Sequence, residues 1–153
     1  RYNQLPHQLF TDTMFAGTVS SQGNTCSQIF ASDFGWSRAY SMPSKGKAPE
    51  ALDLLFKREG VPPAMVMDNA KEQTLGDFRK KLREVDCHVK RTEPHSPWMN
   101  ACETQIRELK RGSSRKMLKT QSPKKLWDHC LELEAYIRSC TAPDLFKLGG
   151  AVP

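Results

Sequence analysis

Apolar and β-compatible residues crowd positions 7–15 and predict a first strand that carries Asp12. Residues 16–25 are small and polar with two glycines, as a hairpin loop requires. Residues 26–31 (CSQIFA) and 35–42 (GWSRAYSM) read as two more strands turning at Asp33-Phe34, which completes an antiparallel meander. From Glu50 the spacing changes: Ala51, Leu54 and Leu55 recur at helical intervals until Gly60 and Pro62-Pro63 stop them. The run Ala64-Met65-Val66-Met67 is wholly apolar, the signature of a strand buried on both faces, and Asp68 follows it directly.

A second helix places Leu75, Phe78 and Leu82 opposite the basic residues Arg79, Lys80, Lys81 and Arg83. Residues 87–92 alternate as another strand. Pro94-His95-Ser96-Pro97 interrupts regular structure, because each proline removes a donor and restricts its predecessor. A long helix then runs from about Asn100 to Met117, with Ile106, Leu109 and Met117 on its apolar side. Pro123 marks the first turn of the last helix, whose Leu126, Trp127, Cys130, Leu133 and Ile137 are spaced for burial.

Length bounds this pattern to one domain: 153 residues suit a single core. Residues 1–142 are expected to form it, and 143–153 a tail or the start of a linker. The chain begins at Arg1 and stops at Gly149-Gly150-Ala151-Val152-Pro153, so a piece of a longer protein is expected. No apolar run is long enough to cross a bilayer, and residues 1–17 lack the apolar stretch of a secretory signal. Five scattered cysteines, an odd number, suggest reduced thiols in an intracellular protein rather than a disulfide framework. Cys87-His88 and His129-Cys130 suggest zinc superficially, but neighbours on a strand face opposite ways, so Cys87 and His88 cannot easily share one ion, and no zinc site is assigned.

Charge adds a direction. The net charge is +6, and residues 107–125 hold eight basic residues (Arg107, Lys110, Arg111, Arg115, Lys116, Lys119, Lys124 and Lys125) against one acid, Glu108. Such a concentration attracts polyanions, phosphate backbones above all, although a solubilising helix surface has the same composition.

Three acids stand in telling places: Asp12 inside an early strand, Asp68 at a strand's end, Glu103 in the first turns of a helix. Converging carboxylates repel unless divalent cations neutralise them, and hard cations that prefer oxygen ligands also bind phosphate oxygens. Two such ions about 4 Å apart can activate an attacking hydroxyl and stabilise the leaving oxygen of an in-line displacement. The chain has seventeen acidic residues, so order alone does not single out three. Asp33 is an alternative first acid, but it stands in a turn, where Asp is expected for local reasons.

The surrounding residues single them out by resemblance. Phe10-Thr11-Asp12-Thr13-Met14-Phe15, Val66-Met67-Asp68-Asn69 and Pro94-His95-Ser96-Pro97-Trp98-Met99-Asn100-Ala101-Cys102-Glu103, followed by Arg107-Glu108-Leu109-Lys110, resemble the catalytic cores of retroviral and retrotransposon integrases, most closely copia-type elements. The segments 32–40 and 122–127 are similar to those elements too, so the resemblance covers roughly residues 7–142. It departs in two ways. Asp68 and Glu103 have 34 residues between them, one fewer than usual in the family, and Ala70 and Ala101 replace two customary glycines, which removes backbone freedom.

The resemblance implies a ribonuclease H-like α/β fold, a mixed five-stranded sheet flanked by helices. It implies metal-dependent polynucleotidyl transfer: 3′-end processing, then strand transfer of element DNA into target DNA. Asp12 would bridge two Mg²⁺ (or Mn²⁺) ions, with Asp68 and Glu103 each completing one coordination sphere. Glu103, Arg107 and Lys110 share a helix face, and Arg107 and Lys110 together with Asn69, His95 and Arg111 are the expected DNA contacts. The implied partners are DNA and further copies of the chain, with no membrane and no zinc in this piece. The implied location is the nucleus or a retroelement particle. A decayed DNA-binding or assembly module of the same fold, and a nuclease that cleaves without joining, are the alternatives.

Overall fold

The computed structural model describes the backbone of residues 2–67, 76–91 and 97–141, and the side chains of the same residues except 91–102. Its strands are β1 (Leu9–Phe15), β2 (Cys26–Ala31), β3 (Ser37–Met42), β4 (Ala64–Met67) and β5 (His88–Arg91). Its α-helices are α1 (Ala48–Arg58), α2 (Gly76–Glu84), α3 (Pro97–Thr120) and α4 (Trp127–Cys140). The sheet order is β3-β2-β1-β4-β5. The meander β1–β3 is antiparallel as expected, and β4 and β5 add in parallel on the other side of β1. No helix among the described residues is long and apolar enough to cross a membrane.

Strand residues alternate between two cores, so the sheet is the middle of three layers. On one face Leu9, Phe30, Met42 and Met65 pack with Leu52, Leu55 and Phe56 of α1 and with Phe78 and Leu82 of α2. On the other, Phe10, Met14, Ile29 and Val66 pack with Ile106 and Leu109 of α3 and Leu131 and Ala135 of α4. This is the mixed five-stranded α/β architecture expected from the sequence.

Several boundaries differ. Helix α1 starts at Ala48 with Pro49 in its first turn, and Leu54, expected inside, is exposed while Leu52 and Phe56 are buried. Helix α3 starts at Pro97, ahead of the expected Asn100. A proline suits that position, since its missing N–H would have no helical partner. Leu75 lies outside the described residues, as do Thr92 and 142–153.

The larger correction concerns α4. The expected inward stripe included Leu133 and Ile137, yet both are exposed, and the helix buries Asp128, Leu131, Glu134, Ala135 and Ser139. Small Ala135 and Ser139 let the helix approach β3, where hydrogen bonds replace apolar bulk. The Ser139 hydroxyl accepts from the Ser37 N–H at 2.8 Å and donates to the Ser37 carbonyl at 2.7 Å. Glu132 accepts from the Ser41 N–H at 2.9 Å. These two N–H groups point outward from the edge strand of the sheet, and α4 satisfies both.

Asp128 fixes the other end of α4. Only 1% exposed, it accepts from Asn24 Nδ2 and from the His129 N–H, each at 2.9 Å, and from Ser20. Burial opposes its ionisation, but these hydrogen bonds outweigh burial and hold its carboxyl below the usual carboxylate value. The β1–β2 loop is thereby pinned to the start of α4, helped by the Ser21 N–H donating to the Lys125 carbonyl at 2.8 Å. A lowered folded pKa contributes stability that is present above the unfolded pKa and lost as pH falls through the folded one. Urea midpoints of the wild type should therefore decline below roughly pH 4, and Asp128→Asn should start lower near pH 7 and decline less steeply. Parallel pH profiles would remove Asp128 from this role.

Candidate functional site

Asp12 sits in the middle of β1, between Phe10 and Met14 on the face that α3 and α4 cover. It is half-buried, and its Oδ1 accepts the Thr13 N–H at 2.7 Å. The flanking threonines face the opposite side and hold the strand there. Gln28 Nε2 donates to Thr11 Oγ1 at 2.6 Å, Thr13 Oγ1 donates to Gln28 Oε1 at 2.8 Å, and Thr11 Oγ1 donates to the Ile29 carbonyl at 3.0 Å. One buried amide thus clamps both neighbours of the acid, so β1 presents Asp12 from a fixed backbone. Sequence reading missed Gln28; its only signal is a polar residue inside an otherwise apolar strand.

Helix α3 brings Glu103. Ile106, Leu109 and Ser113 are its buried stripe, and Glu103 lies one turn before Ile106, exposed. Arg107 and Lys110 are also exposed and follow Glu103 at intervals of four and three, the shared face expected of them. Arg107 Nη2 donates to Thr104 Oγ1 at 3.1 Å. Arg111, expected to contact DNA, is exposed and pairs with Glu108 at 3.1 Å, and Arg138 of α4 approaches the same carboxylate at 3.6 Å.

Two contacts hold α3 in place. Gln105 Nε2 donates to the Ser32 carbonyl, just past the end of β2. At Gly112 the helix comes so near α4 that an added Cβ would stand 2.1 Å from Glu134 Oε1. Glu134 is 6% exposed and is bridged to Lys116 at 2.6 Å and to Arg138 at 3.0 Å. Burial alone would raise its pKa, but the two cations hold it below the usual value.

Asp68, Asn69 and His95 lie outside the described residues, and the side chain of Trp98 is not described. Strand β4 ends at Met67, immediately before Asp68, and Val66 faces the same side of the sheet as Phe10 and Asp12. Among the described residues no group of three or more His, Cys, Asp or Glu side chains is placed to hold a metal ion. Asp12 and Glu103 are the described members of the expected trio, both carboxylates and so suited to hard cations. Asp33, the alternative acid, lies in the β2–β3 turn as expected. Burial pushes the Cys87 thiol up to about 11, and this group belongs to the α1/α2 core.

No family model matches the chain, and no curated protein matches it. Solved structures do match. The catalytic core domain of BIV integrase superposes with a TM-score of 0.68 at 14% identity, over 96% of this chain and 90% of that one. A chain of the simian T-cell lymphotropic virus intasome, determined in complex with PP2A regulatory subunit B56 gamma, gives 0.69 at 15% identity. That match covers 89% of this chain and 49% of the other, so this chain spans about half of that chain's length. The fold of this chain is that of the retroviral integrase catalytic cores, a ribonuclease H-like architecture.

Proposed function

We propose that this chain is the catalytic core of a retroelement integrase that transfers DNA strands with Asp12, Asp68 and Glu103 as metal ligands. The observation that carries the reading is Asp12 itself. In an integrase-core fold, this acid stands on the inner face of the central strand, beneath the helix that bears Glu103, Arg107 and Lys110. Bound Mg²⁺ or Mn²⁺ would supply charge neutralisation and Lewis acidity at the scissile phosphate. The protein residues do the rest. Asp12, clamped through its neighbours, offers carboxylate oxygens from a rigid strand, and Asp68 follows β4 directly. Glu103 projects from a helix anchored at Gln105 and Gly112, while Arg107 and Lys110 hold the DNA backbone in register. Arg111 has a smaller part, because Glu108 already engages it.

Self-association through α4 fits the same reading, since Leu133, Tyr136 and Ile137 form an exposed apolar stretch on that helix. Copia-type ancestry, a nuclear or particle location and the contacts of Asn69 and His95 rest on the resembling sequence segments.

The test is a strand-transfer assay with element-end oligonucleotides and Mg²⁺ or Mn²⁺. Metal-dependent joined products are expected. Arg107→Ala should weaken DNA binding and lower the salt slope by about one. Cleavage without joining would mark a nuclease instead, and salt-dependent binding with no metal-dependent product would mark a decayed binding module.

A further inference from the structure

The corner between α3 and α4 carries a motif that the proposed reaction does not use, Ser122-Pro123-Lys124-Lys125. Helix α3 ends at Thr120, and Gln121 turns the chain with a positive φ of 53°. The Ser122 N–H closes the corner by donating to the Met117 carbonyl at 2.9 Å. Pro123 is extended, with ψ at 141°, and a proline disfavours helix at the residue before it. A short 3₁₀ turn, Lys124–Leu126, then leads into α4. Ser122 is thus held outside both helices.

The corner stands out into solvent. Residues 118–121 and 123–125 are all exposed, and Ser122 between them is half-buried. Its Oγ lies 2.7 Å from Thr120 Oγ1, another surface hydroxyl. Since Thr120 Oγ1 already donates to the Lys116 carbonyl at 2.8 Å, Ser122 is the donor of this pair. Both partners are at the surface, so engaging the Ser122 hydroxyl uncovers no buried group.

The flanking residues give this hydroxyl a specific context. No acidic residue occurs between Glu108 and Asp128, whereas Lys119, Lys124 and Lys125 stand within three positions of Ser122. A proline directly after a hydroxyl and a lysine three positions on form the pattern that proline-directed protein kinases read. The proline lacks an N–H that would otherwise need a partner in the kinase groove, and the lysine supplies charge. The chain has one other Ser-Pro step, Ser96-Pro97, and there the third position is Met99.

We propose that Ser122 is a phosphorylation site for a proline-directed, lysine-selective protein kinase, and that its phosphate weakens DNA binding. The Ser122 hydroxyl oxygen attacks the γ-phosphorus of a nucleoside triphosphate, and the bond to the β-phosphate oxygen breaks. The nucleoside diphosphate leaves, and the hydroxyl proton passes to the kinase's base. The product carries almost two negative charges at neutral pH, taking the net charge of the chain from +6 to about +4. The new charge is two residues from Lys124, which lines the same groove as Lys110 of α3. A phosphate there competes with the DNA backbone for these cations. The effect on DNA rests on the strand-transfer reading; the modification itself does not.

The test treats the full chain with a purified cyclin-dependent kinase and ATP, and maps the product by mass spectrometry. Phosphate is expected on Ser122 of the wild type, none at that position in Ser122→Ala, and several-fold slower labelling of Lys125→Ala. Label confined to Ser96, or none at all, overturns the site, and equal labelling of Lys125→Ala overturns its recognition by the lysine. Fluorescence anisotropy with a labelled DNA duplex, across a salt series, then reads the consequence. Phosphorylated wild type should bind about tenfold more weakly than untreated protein, with a salt slope lower by about two. Kinase-treated Ser122→Ala should bind like untreated wild type. Equal binding by phosphorylated and untreated wild type overturns the effect on DNA. Binding by neither overturns that effect and the strand-transfer reading together, while the mapped phosphate still decides the site.

Discussion

Asp12→Asn should abolish metal-dependent strand transfer, lowering it on the order of a thousandfold, while the protein stays folded. The amide keeps an oxygen where Oδ1 accepts the Thr13 N–H, and the clamp made by Thr11, Thr13 and Gln28 lies on the opposite face, so the strand has no reason to shift. What the substitution removes is charge. A neutral amide is a poor ligand for a hard dication, and loss of one carboxylate also relieves repulsion in the metal-free protein. Two readouts follow. Joined product should disappear, and the rise in melting temperature that millimolar Mn²⁺ gives the wild type should shrink or vanish. Wild-type rates of joining from Asp12→Asn would remove this residue from the metal site.

Gly112→Ala should destabilise the protein by about 2 kcal/mol, a fall of roughly 4–8 °C in Tm for a domain of this size. Inside a helix the same change ordinarily stabilises by about 1 kcal/mol, because glycine loses more backbone freedom on folding. Here the new Cβ would meet Glu134 Oε1 at 2.1 Å and Cδ at 2.4 Å. The carboxylate must move, and with it go its bridges to Lys116 and Arg138. The sign should therefore depend on the partner. In a Glu134→Ala background the collision is gone, and Gly112→Ala should be neutral or stabilising. Urea denaturation of the four proteins checks this, and an equal cost in both backgrounds would show that helix packing elsewhere decides it. Since α3 carries Glu103, any tilt forced at Gly112 should also lower strand transfer.

The sheet was legible because its strands alternate or run apolar: residues 26–31 and 64–67 appear where the pattern put them. The proposed roles of Asp12 and Glu103 were read from neighbouring residues, Phe10 to Phe15 for the first and the basic helix that follows for the second. The buried face of α4 was not. Its packing uses Asp128, Glu134 and Ser139, residue types that a hydrophobic period reads as exposed, while Leu133 and Ile137 are apolar yet face outward. Burial there is made tolerable by partners far away in sequence, Asn24 for Asp128 and Ser37 for Ser139.

The seal that α4 makes on β3 bears on how copies of this chain can meet. An edge strand with free N–H groups invites another strand to add to the sheet, which is a common route to fibres. Here Ser37 and Ser41 have already spent theirs on Ser139 and Glu132. A second copy approaching along β3 would find side-chain oxygens where it needs open donors. Ordered assembly is thereby steered towards faces of helices, and Ser139→Ala together with Glu132→Ala should make the protein more prone to sheet-extending aggregation that thioflavin T would report.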